Sequence, residues 1–230
     1  MMDCISVENM RLSDAYTIEN LTPSLELMHR AAYGVYLANQ WTAPVAIVCG
    51  SGNNGGDGFA LACILKERGI DCTVFTLSSR RSGDSAHYEG KALELGVPVF
   101  GFSAGCLADF SVVVDCLLGT GFQGAVREDY RGAIAEINGC DAFVISVDIN
   151  SGMNGDSGSA EIAVRSDLTV TIGYVKQGLV TENAGIYMKK LVCADIGIQL
   201  IRQEQKITLT GEGGTISCPS WLDMQIIRAY

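Results

Sequence analysis

The chain has 230 residues, 48% of them hydrophobic, which is enough for one well-packed core and near the usual upper size of a single domain, so one domain over 1–230 is expected. A formal charge of −10 repels polyphosphate and anionic surfaces, which argues against nucleic acid or a membrane surface as a partner. Nine cysteines, an odd number with no C-x-x-C pair, exclude a disulfide or zinc framework, and those inside apolar runs, such as Cys49, Cys63, Cys116 and Cys193, suit a reducing compartment.

The first residues lack a basic segment followed by an apolar stretch, and no run approaches the roughly 18 apolar residues of a membrane span, so a cytoplasmic location is expected. Helical periodicity opens the chain at 7–19 and again at 24–39, where Leu25, Leu27, Met28, Ala31, Ala32, Val35 and Tyr36 recur on one face behind Pro23 and Ser24. A continuous apolar run at 45–49 then meets a glycine-rich stretch at 50–58 and a helical pattern at 59–68 ended by Gly69, which reads as strand, turn and helix.

The alternation continues with a strand at 72–77, a helix at 85–95, a short strand at 97–100, a strand at 112–116, a helix at 130–137 and a strand at 143–147. Runs at 168–172 and 190–194 extend the set, and 203–230 carries no clear pattern. Strands that are apolar throughout are buried on both faces. The predicted fold is therefore α/β: a parallel sheet between helix layers.

In an open parallel sheet, ligands bind at the carboxyl ends of the strands. Three loops rich in glycine and short polar residues are expected there: 50–58 after the first strand, 119–125 after Asp115, and Asp148-Ile149-Asn150-Ser151-Gly152 after the 143–147 strand. The first contains G-x-G-x-x-G at Gly50, Gly52 and Gly55, between a strand and a helix as a dinucleotide fingerprint requires. The second strand lacks the acidic ending that holds a ribose; it closes on Ser78, Ser79, Arg80 and Arg81, whose arginines would suit a 2′-phosphate. Tyr88 and Lys91 miss the Y-x-x-x-K spacing of short-chain dehydrogenases by one residue. Asn53-Asn54-Gly55-Gly56-Asp57-Gly58 carries more amide and carboxylate than a phosphate turn needs, while its glycines let backbone N–H groups crowd around phosphate at a helix N-terminus.

These loops resemble the NAD(P)H-hydrate epimerase family, also called the YjeF N-terminal domain family, in the G-x-G-N-N-G-G-D-G of 50–58, the V-D-x-L-x-G-T-G of 114–121 and the V-D-I-x-S-G of 147–152. The K-x-G-L of 176–179, the D-I-G-I of 195–198 and the opening Met10, Asp14 and Glu19 before Leu27-Met28 are similar too, so the likeness runs over about 8–199. It implies a three-layer αβα sandwich with a Rossmann-like, mostly parallel sheet, and interconversion of the R and S forms of NADHX or NADPHX, nicotinamide cofactors hydrated at C6. By the same likeness Asn53, Asn54, Gly55, Gly56 and Asp57, together with Gly119, Thr120, Gly121, Phe122, Gln123, Gly124 and Ala125, contact the dinucleotide. Asp148 lies nearest the reacting ring as its acid–base group, and Asn54, Asp115 and Ser151 hold a potassium ion through hard oxygen ligands.

Departures from the pattern are His29 for Glu, Asn150 for Pro, Asn154 for Asp and Gln199 for Pro. Loss of the proline at 150 is expected to loosen the Asp148 loop, and His29 on a mostly apolar helix reads as structural. The family can carry a fused dehydratase; 230 residues leave no room for it, so a separate NAD(P)HX dehydratase is the expected pathway partner, and the apolar N-terminal helices offer a face for a homodimer. Two other readings stay open at this level: a non-catalytic binding or scaffold member of the same fold, and an NADP-dependent reductase. The joint presence of Asp57, Asp115, Asp148 and Ser151 argues against the first.

Overall fold

Apolar runs without alternation must be covered on both faces. In the structure, a computed structural model that describes residues 2–208, 216, 217, 219 and 221–230, they form the middle of an eight-stranded, all-parallel sheet. The chain order is β1 (Met2–Ile5), α1 (Val7–Asn20), α2 (Ser24–Leu37), β2 (Val45–Cys49), α3 (Asn53–Glu67), β3 (Cys72–Thr76), α4 (Gly83–Glu94), β4 (Val99–Gly101), β5 (Val112–Cys116), α5 (Glu128–Gly139) and β6 (Phe143–Val147). It continues through β7 (Leu168–Ile172), β8 (Val175–Lys176), two 3-10 turns (Gln177–Val180 and Glu182–Ile186), β9 (Lys190–Asp195), β10 (Gln205–Thr208), β11 (Ile216–Ser217) and β12 (Asp223–Arg228).

The large sheet runs β12-β9-β7-β6-β5-β2-β3-β4. From β2 the chain winds outward through β3 to β4, then returns to the other side of β2 to lay down β5, β6, β7 and β9. The order therefore reverses between β2 and β5, which is where such sheets open a binding crevice. Val45, Ile47, Val112 and Val114 point to the layer of α2, α3 and α4, whereas Ala46, Val48, Val113 and Val144 pack against Tyr130, Ala133, Ile134 and Ile137 of α5. That is the predicted three-layer α/β architecture, and β2, β5, β6 and β7 occupy the predicted residues.

Two features were not legible. The helix after β2 begins at Asn53, six residues before the expected 59, and takes in Gly55, Gly56 and Gly58. Each helical glycine costs about 1 kcal/mol against alanine, but close packing overrides that propensity: a Cβ would lie 2.2 Å from the Gly50 carbonyl oxygen at Gly55, 2.7 Å from Met28 Cε at Gly56 and 2.6 Å from Cys49 Sγ at Gly58. The second feature is a small sheet, β11-β10-β1-β8, in which β1 pairs antiparallel with β10 and parallel with β8. The unassigned tail supplies β10 and β11 to this sheet and β12 to the edge of the large one; Cys218 and residues 209–215 lie outside the described residues.

Helix α1 is fastened along a polar stripe. Ser6 donates from its N and Oγ to Glu204 (2.6 and 2.9 Å), Asn9 Nδ2 donates to the Arg202 carbonyl (2.7 Å), Ser13 Oγ accepts from Ile201 N (3.2 Å) and Thr17 Oγ1 from Gln199 N (2.9 Å). The apolar face of α2 is buried in the core; the exposed apolar side chains of this region are Tyr16 and Ile18 of α1 and Leu21 just beyond it, with Leu37 at the end of α2. His29 stacks on Tyr33 with ring centroids 6.4 Å apart, a packing role.

At the sheet reversal the ends of β2 and β5 nearly touch, because a Cβ on Gly50 would sit 2.0 Å from the Leu117 carbonyl oxygen, whereas one on Gly52 meets nothing within 4 Å. Gly50→Ala is expected to lower stability in urea by about 2 kcal/mol or more, as overpacking against rigid backbone does, while Gly52→Ala stays within about 0.5 kcal/mol of the parent. Equal midpoints for the two variants would contradict this close approach.

Candidate active site

The crevice at the reversal opens into a cavity of about 650 Å³. Ser51, Gly52, Asn53, Asn54 and Asp57 line it from the first loop and the start of α3, Leu117 to Gln123 from the loop after β5, and Met10, Arg11 and Asp14 from α1. Asp148, Ile172 and Lys176 also face it. Gly52 caps α3 without a side-chain hydrogen bond, so the helix presents unpaired backbone N–H groups and its positive end to the cavity, an arrangement suited to phosphate.

Asp148 leaves β6 with φ = 69°, a left-handed conformation that costs a non-glycine residue roughly 1–2 kcal/mol. Surrounding bonds hold it there. Its N–H donates to the Val170 carbonyl (2.8 Å), its Oδ2 accepts from Thr120 N (2.8 Å) and its Oδ1 accepts from Lys176 Nζ (2.6 Å). Lys176 has 1% of its side chain exposed and also donates to Thr171 Oγ1 (3.0 Å) and the Ile172 carbonyl (2.7 Å). Burial alone would raise the Asp148 carboxyl, but the adjacent ammonium and the Thr120 hydrogen bonds outweigh it and hold the group below the ordinary carboxylate range. Gly119 is obligatory beside this pair, since a Cβ there would lie 2.9 Å from Asp148 Oδ2.

The same cavity holds two carboxyls with the opposite bias. Asp57 is pushed well above the carboxylate range by burial first and then by Asp148 and Asp14, with Lys176 opposing; Asp14 is raised by burial and by Asp148, again opposed by Lys176.

Asp115 and Ser151 lie beneath the cavity floor, both fully buried. Asp115 accepts from Ser146 Oγ, Ser151 N, Ser151 Oγ and Leu117 N, so its carboxylate is saturated by protein donors. Ser151 Oγ in turn accepts from Leu118 N (2.8 Å). Asn54, packed beside Gly119, is buried with neither its Oδ1 nor its Nδ2 paired among the described residues. Such an amide awaits a ligand. No group of three or more His, Cys, Asp or Glu among the described residues is placed to hold a metal, so a cation here depends on amide, hydroxyl and carbonyl oxygen. A hard monovalent ion fits that donor chemistry at Asn54, whose amide is unpaired, while Ser151 and Asp115 are engaged with each other behind it.

The remaining predicted positions divide. Asn53, Asn54, Asp57 and Gly119, Thr120, Gly121, Phe122 and Gln123 meet at the cavity. Gly55 and Gly56 do not line it, because they are spent on packing against Gly50 and Met28. Gly124 lines a separate hollow of about 290 Å³ with Gly152, Asn154 and Glu161, and Ala125 is exposed outside both. Arg81 is not free for a 2′-phosphate: it pairs with Glu89 (2.9 Å), donates to the Ser78 and Arg80 carbonyls and lies over the Phe59 ring. Sequence reasoning gave no role to Lys176 or Asp14. The signals were a lysine at the end of an otherwise apolar stretch, and an acid one helical turn from Met10.

A sequence profile described as "YjeF-related protein N-terminus" matches residues 24–178. The chain belongs to this family. It is 35% identical over 199 residues to the NAD(P)H-hydrate epimerase of Limosilactobacillus fermentum, covering 83% of this chain and 95% of that protein. It is 37% identical over 201 residues to the bifunctional NAD(P)H-hydrate repair enzyme Nnr of Archaeoglobus fulgidus, covering 86% of this chain but 42% of that longer protein. The crystal structure of yeast ynu0, YNL200c shares the fold, with a TM-score of 0.70 at 22% identity over 77% of this chain and 83% of that one.

Within the YjeF N-terminal pattern, the substitution at 150 does not loosen the Asp148 loop as expected. Asn150 is fully buried; its Nδ2 donates to the Val164 and Tyr187 carbonyls and to Ser166 Oγ (2.9–3.0 Å), and its Oδ1 accepts from Thr169 Oγ1 (2.8 Å). A saturated amide replaces the rigidity of a proline ring.

The Lys176–Asp148 pair gives a stability test. Lys176→Met strands a buried carboxylate and is expected to cost about 3–5 kcal/mol in urea at neutral pH, and adding Asp148→Asn should recover much of the loss. Because the Asp148 carboxyl is depressed in the folded state, the parent's share of this stability is complete above the unfolded value near 3.9 and fades as pH falls below it. If single and double variants unfold at the same midpoint, the two residues are not coupled.

Proposed function

We propose that the chain is an NAD(P)H-hydrate epimerase, interconverting the R and S forms of NADHX or NADPHX in metabolite repair. The observation that carries this reading is the ion-paired, half-buried Asp148 carboxylate facing a cavity whose other end is a phosphate-ready helix N-terminus. Relatives named for this activity, matched over most of both chains, support it.

The α3 N-terminus and the 119–123 loop take the phosphates, and the tetrahydropyridine ring lies against Asp148. The C6 hydroxyl leaves with its electron pair as the ring nitrogen donates its own pair to form C=N, and water adds from the other face. Asp148 serves as acid–base group and, as a resting carboxylate, stabilises the ring cation. Lys176 keeps that carboxylate ionised, and Thr120 N–H fixes its plane. Asn54, with Ser151 and Asp115 behind it, would hold potassium, which would supply positive charge to offset the substrate's phosphates. No redox partner is needed. The reductase reading loses one of its supports once Arg81 is committed to Glu89. A dehydratase acting on the S form completes the repair, and a cytoplasmic location suits the substrate. Tyr16, Ile18 and Leu21 are the apolar side chains open to a homodimer.

The decisive assay supplies purified protein with mixed R and S NADHX and an S-specific dehydratase with its nucleotide, and follows loss of R by chromatography with and without potassium. Protein-dependent loss of R well above the spontaneous rate, faster with potassium, is expected, and Asp148→Asn should reduce turnover at least a hundredfold while sparing binding. Loss of R at the spontaneous rate with the parent protein would overturn the reading.

A further inference from the structure

Exchange of a hydroxyl between the two faces of a ring carbon calls for proton transfer on both faces: an acid for the departing oxygen and a base for the arriving one. Asp148 suits one of these tasks. Both of its carboxylate oxygens are bound, by Lys176 Nζ and Thr120 N, and its loop is pinned by Asn150, so it does not swing around the ring.

Asp14 reaches the same cavity from a different element. On α1, Val7, Met10, Arg11 and Asp14 face the cavity at i, i+3, i+4 and i+7 spacing, while Ser6, Asn9, Ser13 and Thr17 fasten the helix to residues 199–204. The fastening fixes which side chains look inward. Asp14 is half-buried, and no hydrogen bond among the described residues engages its carboxyl, in contrast to Asp148 and Asp115. Its end of the cavity is walled by Met10, Ile172 and Ile196, an apolar lining suited to a nicotinamide-derived ring.

We propose that Asp14 is a second catalytic acid–base residue, acting on the ring face away from Asp148. This rests on the epimerase reading. The Asp14 carboxyl gives its proton to the C6 hydroxyl oxygen as the C6–O bond breaks, the ring nitrogen's pair forms the C=N bond, and water departs. A water molecule then adds to C6 from the other face, the C=N pair returns to nitrogen, and Asp148 takes the proton released. Water in the cavity carries that proton back from Asp148 to Asp14. Atoms and charge balance, and either epimer serves as the starting material.

Electrostatics favour this division. Burial and then the Asp148 carboxylate raise Asp14, while Lys176 opposes that rise and holds Asp148 ionised, so of these two carboxyls Asp14 is the one biased toward its protonated form. The charged groups lining the cavity with it are Glu8 and Arg11 on α1 itself, Asp57 from α3, Asp148 and Asp156 after β6 and Lys176 on β8. Asp57 is the competing candidate, but it stands in the α3 segment beside Asn53 and Asn54, at the phosphate-ready end.

The test measures R-form loss with the full-length protein across pH for the parent, Asp14→Asn, Asp14→Glu and Asp57→Asn. An acid must be protonated to work, so parent kcat should fall as pH rises through the Asp14 pKa. Asp14→Asn is expected to lower kcat about a hundredfold with KM changed less than threefold and to abolish that alkaline fall; Asp14→Glu should keep the fall at intermediate activity. The unfolding temperature of Asp14→Asn at neutral pH should not drop, because removing a carboxyl raised by burial relieves a cost. With an active parent, Asp14→Asn turnover within threefold and an unchanged alkaline limb would overturn the role of Asp14 alone, as would loss of the limb in Asp57→Asn instead. If Asp14→Asn unfolds, Asp14→Glu decides: a retained limb supports the role and a missing one overturns it. An inactive parent overturns the epimerase reading and the role of Asp14 together.

Discussion

An ammonium group cannot be left alone in a protein interior, and Lys176, with 1% of its side chain exposed, is placed where this constraint organises everything around it. The residue belongs to β8 of the small sheet, yet its three acceptors are the Ile172 carbonyl and Thr171 Oγ1 of β7 and the carboxylate of Asp148 after β6. One side chain thus joins the two sheets across the carboxyl ends of the central strands. The left-handed backbone of Asp148, unfavourable by itself, becomes the conformation that delivers a carboxylate to the ammonium and to Thr120 N. The glycine at 119 follows, because any side chain there would collide with the delivered oxygen.

The same pair divides the protons of the cavity. Among the carboxyls lining the space, Asp14, Asp57 and Asp148 feel one buried cation, and the cation bonds directly to one of them. That one is stabilised as an anion, and the anion it becomes raises the other two. A cleft lined with acids would repel a dinucleotide's phosphates, but Asp14 and Asp148 lie toward Lys176, while the phosphate-ready end is built from the backbone of Gly52 to Asn54 and the dipole of α3. The acidic end suits a ring that becomes cationic during reaction, and the dipolar end suits an anionic tail.

Much of this was legible in the residues. Four central strands declare themselves because burial on both faces demands unbroken apolar runs, and their carboxyl ends and the segments that follow carry Asn54, Asp57, Asp115, Asp148 and Ser151. The start of α3 was not legible, because three glycines in a row of six contradict helix propensity and the reason they are tolerated, the approach of Gly50, Met28 and Cys49, is purely tertiary. The same contacts explain why Gly55 and Gly56 belong to packing and not to the cavity. The small sheet was hidden because its strands run two to four residues, too short for a period to register, and its partners are far apart in the chain. Lys176 was hidden with it. A buried lysine is recognisable when its carboxylate is known, and 28 residues separate it from Asp148.

Position 150 shows what kind of constraint the Asp148 loop obeys. Proline would fix the loop by its own ring and give up a donor; asparagine leaves the backbone freer and must be held from outside. Here it is held by four groups from separate places: the Val164 carbonyl, Ser166 Oγ, the Tyr187 carbonyl and Thr169 Oγ1 of β7. Local stiffness has been exchanged for a network, and the network ties the Asp148 loop to the segments that lead into β7 and β9. The residue type at 150 can therefore change without releasing Asp148, provided every hydrogen bond of the buried amide is met, because what must be conserved physically is the fixed carboxylate and not the means of fixing it.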